Sequence, residues 1–297
     1  MGVSFQSILY VLSYVYTIVL LYVYLYVHSF VMLLYIDMYL YMYIIMYIRL
    51  KGTEYMNTKI TAWINEKGGV GKTTCSVCVG AELAKRGKKV LIVDLDKQND
   101  ATAFLDVEPS GVLSDIYAGT RNVADEAIKT NFDNLWIVPG YWVEQKPSPM
   151  ALKKNLGDIN QFDHVFLDCP PNQQNTLITA FLASTHVVAV IRADFFSSKN
   201  LGTLQREFVT VKKAANSDTI FAGVLVNIAK TNTKLHKKNW SNLKNALKNL
   251  LFDSFIRDTT KVVEAPSFGE PVCYYAPGSA ADIDFQNVTD EFERRVK

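Results

Sequence analysis

The chain has 297 residues, room for one large domain or two small ones, and its 31 basic and 29 acidic residues leave a formal charge of +2. That near-neutrality excludes a global basic field, so any nucleic-acid binding must rest on a local patch. Four cysteines, Cys75, Cys78, Cys169 and Cys273, are too few for a disulfide framework in a chain of this length and fit a reducing cytoplasm.

Residues 1–55 differ from the rest. They hold twelve of the sixteen tyrosines, and Asp37 is the one formal charge between Met1 and Ile48. Ile8–Val27 and Val31–Ile48 have the length for a membrane hairpin, since a bilayer core needs about 20 apolar residues in helix. Arg49 and Lys51 would then lie on the cytoplasmic side. The low-complexity alternation of Tyr with Val, Leu, Ile and Met equally resembles translated AT-rich non-coding DNA, which would make Met56 the natural start and 1–55 an artefactual extension. Both readings stand at this point. Residues 56–297 are expected to form one domain.

From Lys59 strands alternate with helices, which predicts an α/β domain with a mostly parallel sheet covered on both faces. Lys59–Asn65 reads as a strand, followed by a Gly-rich loop and a helix over Lys72–Arg86 that stops at Gly87. Lys89–Asp96 is apolar throughout, as a strand covered on both sides should be. Leu135–Val138 and His164–Asp168 are further strands. Asn175–Ala183 reads as a helix, Val187–Ala193 as a strand, Leu201–Ala215 as a helix and Thr219–Asn227 as a strand. Trp240–Leu251 has amphipathic helical spacing, and Asp282–Val296 is a polar-faced terminal helix.

The segment Lys67-Gly68-Gly69-Val70-Gly71-Lys72-Thr73-Thr74 sits between a strand and a helix, the setting in which glycines turn backbone N–H groups around phosphate oxygens. Lys72 is placed to reach the β/γ-phosphates and the Thr73 hydroxyl to bind Mg²⁺. Glu66 stands where the ordinary Walker A pattern has glycine, and Lys67 is an additional lysine. Here the sequence resembles the deviant-Walker, ParA/MinD class, with its K-G-G-x-G-K-[ST] signature. The resemblance implies a doubly wound P-loop fold, with Lys67 crossing a dimer interface to the partner's nucleotide, so that dimerisation depends on ATP.

Asp94-Leu95-Asp96-Lys97-Gln98 resembles the family's D-x-D-P-Q motif, with Lys97 in place of proline, a change expected to loosen the loop that follows. Alternation is expected to set Asp94 and Asp96 on one face, near the phosphate loop. By resemblance Asp96 positions or activates the attacking water and Asp94 supports the Mg²⁺ shell. His164–Asp168, followed by Cys169-Pro170-Pro171, resembles a Walker B strand, whose Asp168 would hold Mg²⁺. Glu264–Val272 resembles the E-A-P-S-x-G-x-P-[IV] loop of ParA proteins, which implies a base contact at Pro266. Asn227 is either a second base contact or a turn former.

Lys230–Phe252 contains six lysines and no acid. With the resemblance to ParA, this makes Lys234, Lys237, Lys238 and Lys261 candidates for sequence-independent DNA contact through phosphate neutralisation. The resemblance further implies a nucleoid-associated cytoplasmic protein with a ParB-like partner. A MinD-like membrane ATPase is the alternative, although such relatives end in a basic amphipathic helix and this chain ends in an acidic one. A cluster-binding role for Cys75-x-x-Cys78 competes with simple core packing.

Overall fold

In the computed structural model the chain divides into two compact units, Met1–Met56 and Asn57–Lys297. The structure describes residues 58–65, 67–140, 148–171, 174–192, 209, 212–213, 218–231 and 234–297, with Tyr16, Thr17 and Leu21 from the first unit. Among the described residues no helix is long and apolar enough to cross a membrane. The two candidate spans, Ile8–Val27 and Val31–Ile48, lie almost wholly outside them.

In the second unit β1 (Lys59–Ile64) leads to α1 (Lys72–Lys85), β2 (Val90–Asp94), the short helices α2 (Asp100–Phe104) and α3 (Val112–Ala118), β3 (Ile128–Lys129) and β4 (Leu135–Val138). Then come α4 (Ala151–Lys154), β5 (His164–Asp168), α5 (Gln174–Ala183), β6 (His186–Arg192) and β7 (Ile220–Ala229). The chain ends with α6 (Lys234–Leu247), β8 (Leu251–Arg257), α7 (Thr260–Glu264), α8 (Val272–Tyr275) and α9 (Ala280–Arg295). The strands form one sheet in the order β3-β4-β2-β5-β1-β6-β7-β8, parallel except for the β3–β4 pair.

Every residue of β2 and β5 is buried, as their unbroken apolar character requires of strands covered on both faces. On one face α1 and α9 close over Trp63 and Phe166, and Phe292 of α9 packs against both, with ring centroids 5.3–5.7 Å apart. On the other, Ile116, Phe181 and Leu243 pack over Ile60, Leu91 and Val165. The fold is therefore a doubly wound α/β sheet. Its switch point lies where β5 inserts between β2 and β1, so the carboxyl ends of these three strands open onto one crevice.

Two expectations are corrected. The amphipathic helix starts at Lys234 and stops at Leu247, and Leu251–Arg257 is the edge strand β8. Its pairing groups are satisfied from α9, far along the chain: Asp253 N and Ser254 N donate to Glu291 (3.0 and 2.8 Å) and Arg257 N to Asp284 (3.1 Å). Arg295 caps the Ala222 and Leu251 carbonyls (3.0 and 2.7 Å). Carboxylates in place of a further strand also shield this edge from pairing with another chain. Second, β2 ends at Asp94, so strand alternation does not extend to Asp96. The expected helix Leu201–Ala215 lies outside the described residues except Val209, Lys212 and Lys213, which are helical.

Candidate active site

The loop from Asn65 to Gly71 joins β1 to α1. Gly69 and Gly71 have φ of +70° and +84°, conformations that a side chain would strain. A Cβ at Gly71 would also overlap the amide nitrogen of Asn227, so this position excludes larger residues twice over. Helix α1 begins at Gly71 with no side-chain cap and no acidic residue in its first turn. Its leading N–H groups and partial positive charge thus face the loop, the arrangement that binds an anion.

The two loop lysines part company. Lys72 is buried (6% exposed) and close enough to Asp168 and Asp100 to favour their charged forms. Lys67 is exposed, and its N–H donates to the Asn65 side chain (2.8 Å). Gly68 is exposed beside it, Val70 is buried, and Thr73 and Thr74 are half-buried at the start of α1.

Asp94 and Asp168 are register partners on adjacent strands, and neither has any exposed surface. The Thr73 hydroxyl donates to Asp168 Oδ2 (2.7 Å) and the Ser76 hydroxyl to Oδ1 (3.1 Å). Burial, reinforced by the charge of Asp94, pushes Asp168 up to about 8 against those hydroxyls and Lys72. Burial also pushes Asp94 up to about 6. Two buried carboxylates driven toward protonation, with hydroxyl oxygens beside them, are a hard oxygen donor set that suits Mg²⁺.

Asp94, beside Asp168, has both oxygens engaged: Oδ1 accepts from Asp96 N (3.1 Å), and Oδ2 from Thr102 N and Oγ1 (2.9 and 2.7 Å). Asp96 is 7% exposed and sits in the turn beyond β2. That turn closes without a proline, through Gln98 N to Asp96 Oδ1 and Asn99 N to Asp96 O (3.1 Å each), with Asn99 at φ +57°. Lys97 therefore stands in a hydrogen-bonded turn at the position where the motif has proline.

A family model described as an AAA domain matches residues 58–221. The sporulation initiation inhibitor protein Soj of Bacillus subtilis is 34% identical over 234 residues, which are 74% of this chain and 92% of that protein. The chain belongs to the ParA/MinD family of P-loop ATPases. Another relative, the chromosome-partitioning ATPase Soj of Thermus thermophilus, is 30% identical over 80% of this chain and 96% of its own length. Among solved structures, the Pyrococcus furiosus cell division ATPase MinD superposes with a TM-score of 0.66 at 25% identity, covering 80% of this chain and 98% of that one.

Within this ParA/MinD framework Asn227, 1% exposed, donates from Nδ2 to Val70 O (2.9 Å), while its Oδ1 is buried without a hydrogen-bond partner among the described residues. Pro266 is half-buried in a 3-10 turn, Ala265–Phe268, that ends at Gly269 beside Asp106. Lys85 Nζ, which donates to Cys273 O (3.2 Å), ties the following helix α8 to α1. Of the candidate DNA contacts, Lys234, Lys237 and Lys238 lie on α6, with Lys238 exposed. Lys261 is exposed on α7, 3.0 Å from Glu264 and over the Tyr275 ring. Arg257, at the end of β8, pairs with Asp284 (2.6 Å).

Cys75 and Cys78 point into the core, where burial drives both thiols well up. Among the described residues no group of three or more His, Cys, Asp or Glu is arranged to hold a metal. Sequence reading missed Ser76, although Thr73 three residues earlier on the same helix face was a signal for it. It also missed Thr102 and Gly140, which carry no local signal at all.

Proposed function

We propose that this ATPase pairs with a second copy when ATP is bound, holds DNA without sequence preference in that form, and drives plasmid or chromosome partition with a ParB-like partner. The observation that carries the reading is the split between the loop lysines. Lys72 is buried among the carboxylates of its own subunit, whereas Lys67 is exposed where a second subunit can meet it.

ATP would lie over the glycine loop, its phosphates on the α1 N-terminus, with Lys72 holding the β/γ-phosphates. Thr73 and Asp168 would hold Mg²⁺, with Asp94 supporting that shell from behind. The metal's part is to neutralise charge on the transferring phosphoryl group. Asp96 orients the attacking water, and Lys67 of each copy adds a second cation at the partner's phosphates, where charge stabilisation dominates the chemistry. Pro266 and Asn227 are assigned to the base side.

The DNA arm of the proposal rests on α6 and α7. The apolar face of α9, with Phe285, Val288 and Phe292, is buried, so α9 itself presents no lipid-binding face, and the MinD-like reading of a membrane-associated positioning ATPase would have to find one elsewhere. Retention of the ATP-bound protein on DNA should fall steeply with salt. Lys238→Ala and Lys261→Ala should each reduce the logarithmic salt slope by about 0.9 if each neutralises one phosphate. Failure of the ATP-bound chain to bind DNA even at low salt would overturn the partition reading.

A further inference from the structure

We propose that Thr102 is a positioning residue for hydrolysis, the keystone of a buried brace that fixes the turn carrying Asp96. The proposal rests on the role assigned above to Asp96. Thr102, on α2, has no exposed surface. Its hydroxyl donates to Asp94 Oδ2 (2.7 Å) and accepts from Gly140 N (2.8 Å), so the direction of its single proton is set from both sides. Its own N–H makes a second bond to Asp94 Oδ2 (2.9 Å). The other oxygen of Asp94 receives the Asp96 N–H (3.1 Å), and Asp96 Oδ1 in turn receives the Gln98 N–H (3.1 Å).

The chain of contacts thus runs from the loop after β4, through Thr102 and Asp94, to the backbone of the turn that carries Asp96. Gly140 shows how closely the parts fit: a Cβ there would lie 2.7 Å from Asn99 Oδ1 and 3.0 Å from Asp94 Cγ. Just past the far end of α2, Asp106 at φ +52° lies against Gly269, the residue that closes the Pro266 turn. The segment from Asn99 to Asp106 therefore spans from the hydrolytic carboxylate to the loop assigned to the base. Asp94, with three donors on its two oxygens, acts through Asp96, and Thr102 is what holds it in that posture. A displacement of about 1 Å at a positioned catalytic group costs on the order of 100-fold in rate.

The test is ATP turnover by the full chain with Mg²⁺, alongside Asp96→Ala as reference. Thr102→Val should lower kcat by roughly 10- to 100-fold with KM for ATP changed by less than about 3-fold, while Thr102→Ser should stay within about 3-fold of the parent. Amide exchange at Asp96 should speed up in Thr102→Val and not in Thr102→Ser. If Thr102→Val does not fold, Gly140→Ala reaches the same turn from the β4 side and should give the same split between kcat and KM. A Thr102→Val enzyme that turns over like the parent while Asp96→Ala is dead would overturn the brace alone. Equal losses in Thr102→Val and Thr102→Ser would reduce Thr102 to packing and overturn it too. An Asp96→Ala enzyme as fast as the parent would instead remove the reading on which the brace rests.

Discussion

The carboxyl end of the sheet and its amino end both bury ionisable groups, and they handle them in opposite ways. At the carboxyl end Asp94 and Asp168 are enclosed with Lys72, three hydroxyls and backbone N–H donors, so carboxylates that burial disfavours are each met by donors. At the amino end His164 and His186 are enclosed beside Thr61, Phe166 and Phe292. His164 Nδ1 and His186 Nε2 have no hydrogen-bond partner among the described residues. Burial drives both imidazoles down to about 4 and keeps them neutral. The difference teaches that burial of a titratable group is not by itself a functional signal. What marks the active end is the convergence of donors on a buried charge.

The largest effect should come from removing the cation at the active end. Lys72→Ala should lower ATP turnover by about 100- to 1000-fold, the usual loss on deleting one charge-stabilising donor from a reacting centre, with the thermal midpoint little changed. Gly71→Ala attacks the same end through shape. The added methyl needs φ near +84° and meets the Asn227 amide, so stability should fall by about 2–4 kcal/mol in denaturant titration and nucleotide affinity should fall with it.

The amino end should answer to pH instead. The histidines titrate near 6.5 in the unfolded chain and near 4 in the fold. Between those values the unfolded chain binds more protons at these two sites, so their contribution to stability is complete above pH 6.5 and is lost as pH falls toward 4. Asp94 and Asp168, raised by burial, change stability in the opposite sense over the same window, so the histidine part is read as a difference between two proteins. Against His164→Phe, which keeps an aromatic ring beside Phe166 and Phe292, the parent should lose roughly 1–3 kcal/mol more between pH 6.5 and 4 in melting curves. Profiles of parent and variant that run parallel from pH 7 to 4.5 would break the contrast between the two ends.

The same contrast explains what was legible in the sequence. Strands β1, β2 and β5 announce themselves as apolar runs because both their faces are covered, and the glycine loop because its backbone must approach phosphate. The order of motifs then placed Asp94, Asp96 and Asp168 at one edge, as found. Strand β8 was illegible because Asp253 and Ser254 interrupt its apolar pattern, and the groups that satisfy it, Asp284 and Glu291, lie about 30 to 40 residues further on. Thr102 and Gly140 escaped for the same reason. Nothing near either in sequence says that they meet over Asp94. Pairings made by the fold between unremarkable residues are written only in three dimensions.

The claim beneath the account is that the second loop lysine serves the neighbouring subunit. Sedimentation of Lys67→Gln beside the parent, each saturated with a non-hydrolysable ATP analogue and Mg²⁺, measures this directly. The parent should sediment as a dimer and the variant as a monomer that still binds nucleotide. A variant that dimerises like the parent would contradict the account.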